Sequence, residues 1–331
     1  MILICFGTRP EWLKVKPLLK VLDNYQLLFT GQHEDLLKSV EVDYRITMGD
    51  HSNRLDGIIS DCMIQFPEGG FDSVLVQGDT ASAFGCALAA FNRKLKIYYL
   101  ESGLRTYQLD HPYPEEGYRQ MICRLADKHF CPTQLAARNV EEEKCGGTID
   151  VVGNTVLDNL VHYRDKCSYG DQVLVTLHRR ENHHLMREWF LQLEDIARWN
   201  PNLELIIPLH PNPNVQKHKD VFRYVKVVDP LEYPDLLNLL VKSKFVITDS
   251  GGLQEEGSFF NKKVIVCREC TERPEAIATG HLHMCSKPEL LKDIVTSVNR
   301  NPIITQPCPY GDGNSATRIK DLLWQKKKIE S

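Results

Sequence analysis

Short apolar runs of strand length alternate along this chain with amphipathic stretches of helical length. In the first half the runs are Ile2–Phe6, Gln26–Thr30, Ser73–Gln77, Lys96–Leu100 and His129–Cys131, and Val151–Val152 closes the set. The second half repeats the style with Gln172–Thr176, Glu204–Ile207, Val225–Val228, Phe245–Thr248 and Lys263–Cys267. Each run ends in a polar or Gly-containing turn that leads into a candidate helix. Alternation of this kind predicts parallel sheets joined by right-handed crossovers. Two such sets predict an α/β chain of two Rossmann-like doubly wound domains facing a cleft. The expected domains are 1–160 and 171–312, with 313–331 as a C-terminal helix over Ser315–Lys328, placed to pack back on the first domain. Asn154–Tyr163 reads as a connecting helix and Arg164–Asp171, polar and containing Gly170, as the linker.

The length supports that division, since 331 residues exceed a typical single core and fit two domains of about 150 residues. With 42% apolar and 25% charged residues the composition is that of a globular chain, so disorder is not expected. The net charge of −4 carries no basic excess, which argues against nucleic acid and acidic membrane surfaces as partners. No stretch approaches the roughly 20 apolar residues of a membrane span. The 11 cysteines are odd in number and scattered, and Ile2–Phe6 running straight into Gly7 is no secretory leader. Both features lead to the expectation of a reducing, cytoplasmic location.

Ligands of open parallel sheets bind beyond the carboxyl ends of the strands, so the residues after each run carry the argument. Gly7-Thr8-Arg9-Pro10-Glu11 follows the first: Pro10 suits a first helical turn, and Arg9 and Lys14 add charge to a helix N-terminus open to an anion. Asp79 follows the third run and Glu101 the fourth, and Glu115 and Glu116 follow on the next turn-to-helix segment. Any one of these acids alone is most simply a helix cap. Acids after successive strands, flanked by Arg105 and Arg119, read as one shared site, with a structural ion-pair network as the alternative.

The second half differs. Thr248-Asp249-Ser250-Gly251-Gly252 lies between a strand and a helix and reads as a phosphate cradle without the P-loop lysine. Glu255 and Glu256 follow; one suits ribose hydroxyls and the other the helix dipole. His210, beside such a cradle, becomes a phosphate ligand or proton carrier. His178-Arg179-Arg180 and Arg268, Arg273 add cations. The single Cys267-x-x-Cys270 and the His281, His283, Cys285 group are weak as metal or redox sites, and no Gly-x-Gly-x-x-Gly follows the first strand. No metal or cofactor is therefore expected.

In order along the chain, GTRPE (7–11), TGQH (30–33), GDT (78–80), ESGLRT (101–106), PYPEE (112–116) with Arg119, VGNTVLD (152–158), LHRREN (177–182), HPNPNV (210–215), TDSGGLQEE (248–256) and TERPE (271–275) resemble the non-hydrolysing UDP-N-acetylglucosamine 2-epimerases. The resemblance runs from Gly7 to about Gly280. It implies the glycosyltransferase B architecture, a UDP-sugar as partner, a homodimer and a role in polysaccharide biosynthesis. Ser250, Gly251 and Gly252 would hold the phosphates of UDP and Glu256 its ribose, with His210, Arg9 and Arg273 helping at the diphosphate and Lys14 close by. The catalytic set would be Asp79, Glu101, Glu115, Arg119 and His210. The implied reaction eliminates UDP to a 2-acetamidoglycal and adds it back with C2 inverted, UDP-GlcNAc to UDP-ManNAc, and spacing does not divide the carboxylates into base, acid and stabiliser.

Some positions depart from the family pattern. Ser102 stands where Ala is usual, Tyr118 where Asn is usual, and Leu236 where an aromatic often lies near the uracil. Glu34 and Asp35, with a shortened segment between Gln32 and Gly78, count against the activating second substrate site of the bacterial enzymes. The close alternative is a 2-epimerase of a UDP-2-acetamido-6-deoxy-L-hexose. Further alternatives are a hydrolysing epimerase releasing free N-acetylmannosamine, an inactive nucleotide-sugar binder, and a retaining glycosyltransferase, for which no acceptor site is visible.

Overall fold

A computed structural model describes residues 1–33 and 40–325. The chain divides into two compact units, one of Met1–Asn159 with the chain from Gly311 onward, the other of Leu160–Tyr310. Glu34 and Asp35, and Lys326–Lys328 at the end of the expected C-terminal helix, lie outside the described residues.

Unit 1 begins with strands β1 (Ile2–Phe6), β2 (Tyr25–Phe29), β3 (Tyr44–Arg45), β4 (Ser73–Gln77), β5 (Lys96–Leu100), β6 (Lys128–Cys131) and β7 (Thr148–Val151). They alternate with helices α1 (Arg9–Leu19), α2 (Arg54–Ile64), α3 (Ala81–Asn92), α4 (Glu115–Leu125) and α5 (Gln134–Glu142). Among the described residues the sheet is seven-stranded and parallel in the order β3-β2-β1-β4-β5-β6-β7. Helices cover both faces, which is why β1 and β4 read as unbroken apolar runs and are buried almost throughout.

Unit 2 holds β8 (Gln172–Thr176), β9 (Glu204–Pro208), β10 (Lys226–Val228), β11 (Phe245–Thr248), β12 (Val264–Val266) and β13 (Leu282–Met284). Its helices are α6 (Met186–Trp199), α7 (Pro213–Gln216), α8 (Tyr233–Lys242), α9 (Gly251–Phe259), α10 (Glu275–Ala278) and α11 (Leu291–Arg300). The parallel order β10-β9-β8-β11-β12-β13 repeats the doubly wound plan of unit 1.

The last helix, α12 (Ser315–Gln325), belongs to unit 1. Asp158 caps it, its Oδ1 accepting from Ala316 N at 2.8 Å and its Oδ2 from Ser315 N at 3.2 Å. Ala316 and Ile319 complete the apolar layer of Ile4, Phe6, Val15 and Leu18. Burying Ile319 fully is worth about 2 kcal/mol.

Two features differ from expectation. The edge strands β3 and β13 are two and three residues long, too short and too polar to register as apolar runs. The connecting α-helix is instead two 3₁₀ segments, Thr155–Asn159 and Val161–Lys166. Side chains pin the first segment to α1: Thr155 Oγ1 donates to Lys14 O at 2.6 Å and Asn159 Nδ2 to Leu13 O at 2.7 Å.

Candidate active site

In unit 1 the strand order reverses between β1 and β4, the position where doubly wound sheets bind ligands. Gly7 opens the turn after β1. A Cβ there would fall 2.1 Å from Thr30 Oγ1 and 2.4 Å from Ser82 Oγ, so only glycine lets the three turns meet. Thr8 and Glu11 form a reciprocal cap on α1, with Gly7 N and Thr8 N each donating to Glu11 Oε2 at 2.7 Å. Thr80, after β4, donates its hydroxyl to the other oxygen of Glu11, locking the β1 and β4 turns together.

Onto this frame the chain brings four of the expected groups. Asp79 follows β4 behind Gly78, whose φ of +76° turns the chain out of the strand. Glu101 follows β5 with φ +68°, a left-handed conformation that costs a non-glycine residue about 1–2 kcal/mol. Glu115 opens α4, and Arg119 lies one turn along it. Arg119 Nη1 donates to Asp79 Oδ2 at 2.7 Å. Glu115 Oε2 is buried and makes no hydrogen bond among the described residues.

Burial raises the Asp79 carboxyl above the ordinary carboxylate range, and the charges of Glu101 and Glu115 add to the rise. Arg119 and Lys14 oppose it without cancelling it. Asp79 keeps 31% of its side chain exposed, so this raised carboxyl is also open to a ligand.

The sequence sets Lys14 close to the diphosphate. Its ammonium lies on Glu101, 2.6 Å from Oε1 and 2.5 Å from Oε2. Gln77 and Asn154 also donate to Glu101. Arg9 is half-buried at the start of α1 and has no hydrogen-bond or ion-pair partner among the described residues.

Arg105 does not flank the carboxylates. It forms a two-pronged pair with Glu143, Nε to Oε1 and Nη2 to Oε2 both at 2.7 Å, so here the structural ion pair is what the geometry gives. Glu116, grouped on the sequence with Glu115 but given no role of its own, is fully buried on α4. It accepts from Thr106 N, Tyr107 N, Gln120 Nε2 and Arg119 Nε, and so aims Arg119 at Asp79. Only the acid beside Glu115 in PYPEE hinted at it.

Two departures from the family pattern find partners. Ser102 Oγ lies 2.9 Å from His129 Nδ1 and 3.2 Å from Cys123 Sγ, beneath the Glu101 turn. The Tyr118 ring stacks on Phe84 of α3 at 5.3 Å.

In unit 2 the order reverses between β8 and β11. Asp249, fully buried after β11, accepts on Oδ2 from His178 N and Arg179 N at 2.9 Å and from Asn182 Nδ2 at 3.0 Å. It therefore ties the β8 turn to the β11 turn. Ser250 N donates to Thr248 Oγ1 at 2.9 Å, and the Ser250 hydroxyl makes no cap bond to α9.

Ser250, Gly252 and Glu256 line an open pocket of about 270 Å³ with His178, His210, Tyr233 and Leu236. The amide end of α9 thus faces the same space as two imidazoles. Tyr233 OH donates to Glu256 Oε1 at 2.8 Å. Asn212 N donates to His210 Nδ1 at 3.1 Å, which places the proton of the neutral His210 ring on Nε2. Gly251 is buried behind Gly252, and a Cβ on it would lie 3.1 Å from Arg273 Nη1. Arg273 itself is engaged by Glu255, Nε to Oε1 at 2.5 Å, and by Glu272. Of the two adjacent acids, Glu255 thus pairs inside the unit and Glu256 faces the pocket.

Residues 22–324 match the family model described as UDP-N-acetylglucosamine 2-epimerase. The UDP-N-acetylglucosamine 2-epimerase of Campylobacter jejuni is 36% identical, across 100% of this chain and 99% of its own length. That of Bacillus subtilis (strain 168) is 35% identical, across 97% of this chain and 94% of its own. The crystal structure of UDP-GlcNAc 2-epimerase from Neisseria meningitidis bound to UDP-GlcNAc has a TM-score of 0.86 at 31% identity, covering 98% of this chain and 99% of that one.

Proposed function

Because the chain belongs to the UDP-N-acetylglucosamine 2-epimerase family, a family of isomerases, we propose that it interconverts UDP-GlcNAc and UDP-ManNAc without hydrolysis, by eliminating UDP to a 2-acetamidoglycal and adding it back. The observation that carries the reading is the carboxylate group of unit 1: Asp79 feels Glu101, Glu115, Lys14 and Arg119 together at the switch point. Its raised carboxyl, with a Glu115 oxygen that makes no hydrogen bond among the described residues, supplies two carboxyl groups for the proton transfers.

The C2 hydrogen of an N-acetyl sugar is not acidic while C1 is intact. As the C1–O bond to the β-phosphate breaks, positive charge grows on the ring and the C2 proton becomes removable. A carboxylate takes that proton, the C2–H electron pair forms the C1–C2 double bond, and the bridging oxygen leaves with the UDP. Return requires a proton from the other carboxyl onto the opposite face of C2 and attack of a β-phosphate oxygen on C1. Asp79 and Glu115 are the pair assigned to these transfers, exchanging roles with the direction of reaction. Glu101, held by Lys14, Gln77 and Asn154, supplies a fixed charge near the ring.

On this reading the pocket of unit 2 holds UDP. Ser250, Gly251 and Gly252 present the α9 amide end to the phosphates, Glu256 takes the ribose hydroxyls, and His210 donates from Nε2 to the diphosphate. Arg9 serves as a further phosphate cation, while Arg273 acts through its place behind Gly251. A cytoplasmic location, a homodimer and a supply of activated sugar to polysaccharide synthesis belong to the same proposal.

Positional isotope exchange tests the elimination. With ¹⁸O in the bridge between C1 and the β-phosphate, released UDP can rotate before re-adding. Label should move to non-bridging positions at a rate comparable with epimerisation. Epimerisation with the label unmoved would rule the elimination out.

A further inference from the structure

His178 is not needed in the scheme above, yet it stands in the nucleotide pocket with an unusual set of neighbours. Its ring stacks on His210, centroids 4.9 Å apart and planes 10° from parallel. Its Nδ1 faces Asp249 Oδ1 at 3.5 Å. That oxygen is buried and makes no hydrogen bond among the described residues, while Oδ2 is filled by three donors. A buried carboxylate oxygen left over in this way favours an imidazolium beside it.

The two rings differ in what a second proton would meet. On His210 the added proton would go to Nδ1, which already accepts from Asn212 N, and would set two donors against each other. On His178 the Nδ1 side faces an acceptor, so a protonated ring keeps its contact and gains charge attraction. The other charged and titratable groups around His178 are Arg179 and His183 on its own segment; His183 Nε2 lies 3.1 Å from His178 O. Glu256 on α9 lines the same pocket. Burial holds the His178 imidazole below its ordinary range, with Asp249 pulling upward and His210 and Arg179 downward. The ring is therefore neutral near pH 7 until an anion arrives.

We propose that His178 is the proton acceptor of the nucleotide site: a diphosphate entering the pocket draws one proton from solvent onto His178, whose imidazolium is then flanked by Asp249 and the incoming charge. The inference rests on the reading of this pocket as the UDP site. Its consequence is that nucleotide-sugar affinity is linked to pH through a residue other than His210.

The test is calorimetric titration of the full chain with UDP-N-acetylglucosamine at pH 7 in two buffers of different ionisation enthalpy. The ligand's diphosphate is a diester with no group titrating near neutrality, and epimerisation leaves its charge unchanged. Buffer-dependent heat therefore reports proton uptake on binding. Uptake should approach one proton per site, kept in His210→Gln despite weaker binding and lost in His178→Gln. As a check that needs no variant, the Kd of the unaltered protein should rise with pH across neutrality, by up to about tenfold per pH unit. Binding with no buffer dependence and a pH-independent Kd overturns the proposal, as does full uptake in a folded His178→Gln. Absence of any binding overturns instead the assignment of the pocket to UDP.

Discussion

The Lys14 ammonium sits across both carboxylate oxygens of Glu101, 2.6 Å and 2.5 Å away, although 87 positions separate the two residues. Both are largely buried. This pair makes Glu101 a held charge and takes Lys14 out of the pool of unattached cations.

Lys14→Met should leave Glu101 buried without its cation. Breaking such a pair costs about 3 kcal/mol of stability. In Lys14→Met/Glu101→Gln most of that loss should return in denaturant melts, because no charge is left stranded. Both variants should lose epimerase activity, and UDP affinity should change little. A large loss of UDP binding in folded Lys14→Met would restore the diphosphate role read from the sequence.

Asp79 predicts a pH dependence. Its folded carboxyl is raised, so between the ordinary carboxylate range and that higher value the native state binds more protons than the unfolded chain. Stability contributed by this group is present at low pH and lost as pH rises through that window. Asp79→Asn should therefore melt above the parent at pH 7, with the gap closing as pH falls toward the unfolded carboxylate range, while activity is abolished. A lower melting temperature at pH 7 would contradict the raised carboxyl.

Arg105 and Arg119 should separate scaffold from site. Arg105→Met removes a two-pronged pair with a partly exposed Glu143 and should cost about 1–2 kcal/mol of stability while the folded fraction keeps its kcat within about threefold. Arg119→Met should instead lose kcat by roughly 100-fold. Equal kinetic losses in both would return Arg105 to the active site.

Glu116→Gln replaces an acceptor of four hydrogen bonds by a group that must present an NH₂ to some of those donors. The cost should be about 2–3 kcal/mol in stability. With Arg119 no longer aimed, the limb of the kcat/KM–pH profile set by Asp79 should move upward. An unmoved profile would make Glu116 a structural residue only.

Much of the fold was legible because parallel strands covered on both faces must be apolar along their whole length. β1, β4, β5, β8 and β11 lie at the positions the runs marked. β3 and β13 were not legible, since two or three residues at an edge carry too little pattern. The site's acids were legible as strand-end residues, but their partners were not. Arg105 and Arg119 look alike in sequence, and only the fold sends one to Glu143 and the other to Asp79. The pairing of Lys14 with Glu101 and the left-handed turn at Glu101 likewise come from long-range packing.

The fate of the C2 hydrogen tests the central claim most directly. UDP-GlcNAc incubated with the protein in deuterated water and followed by proton NMR should exchange C2–H for deuterium, giving UDP-GlcNAc and UDP-ManNAc labelled at C2 with no free hexosamine. Glu101→Gln should abolish that exchange while still binding UDP. Free N-acetylmannosamine as the product, or exchange only with a UDP-2-acetamido-6-deoxy-L-hexose, would contradict the account.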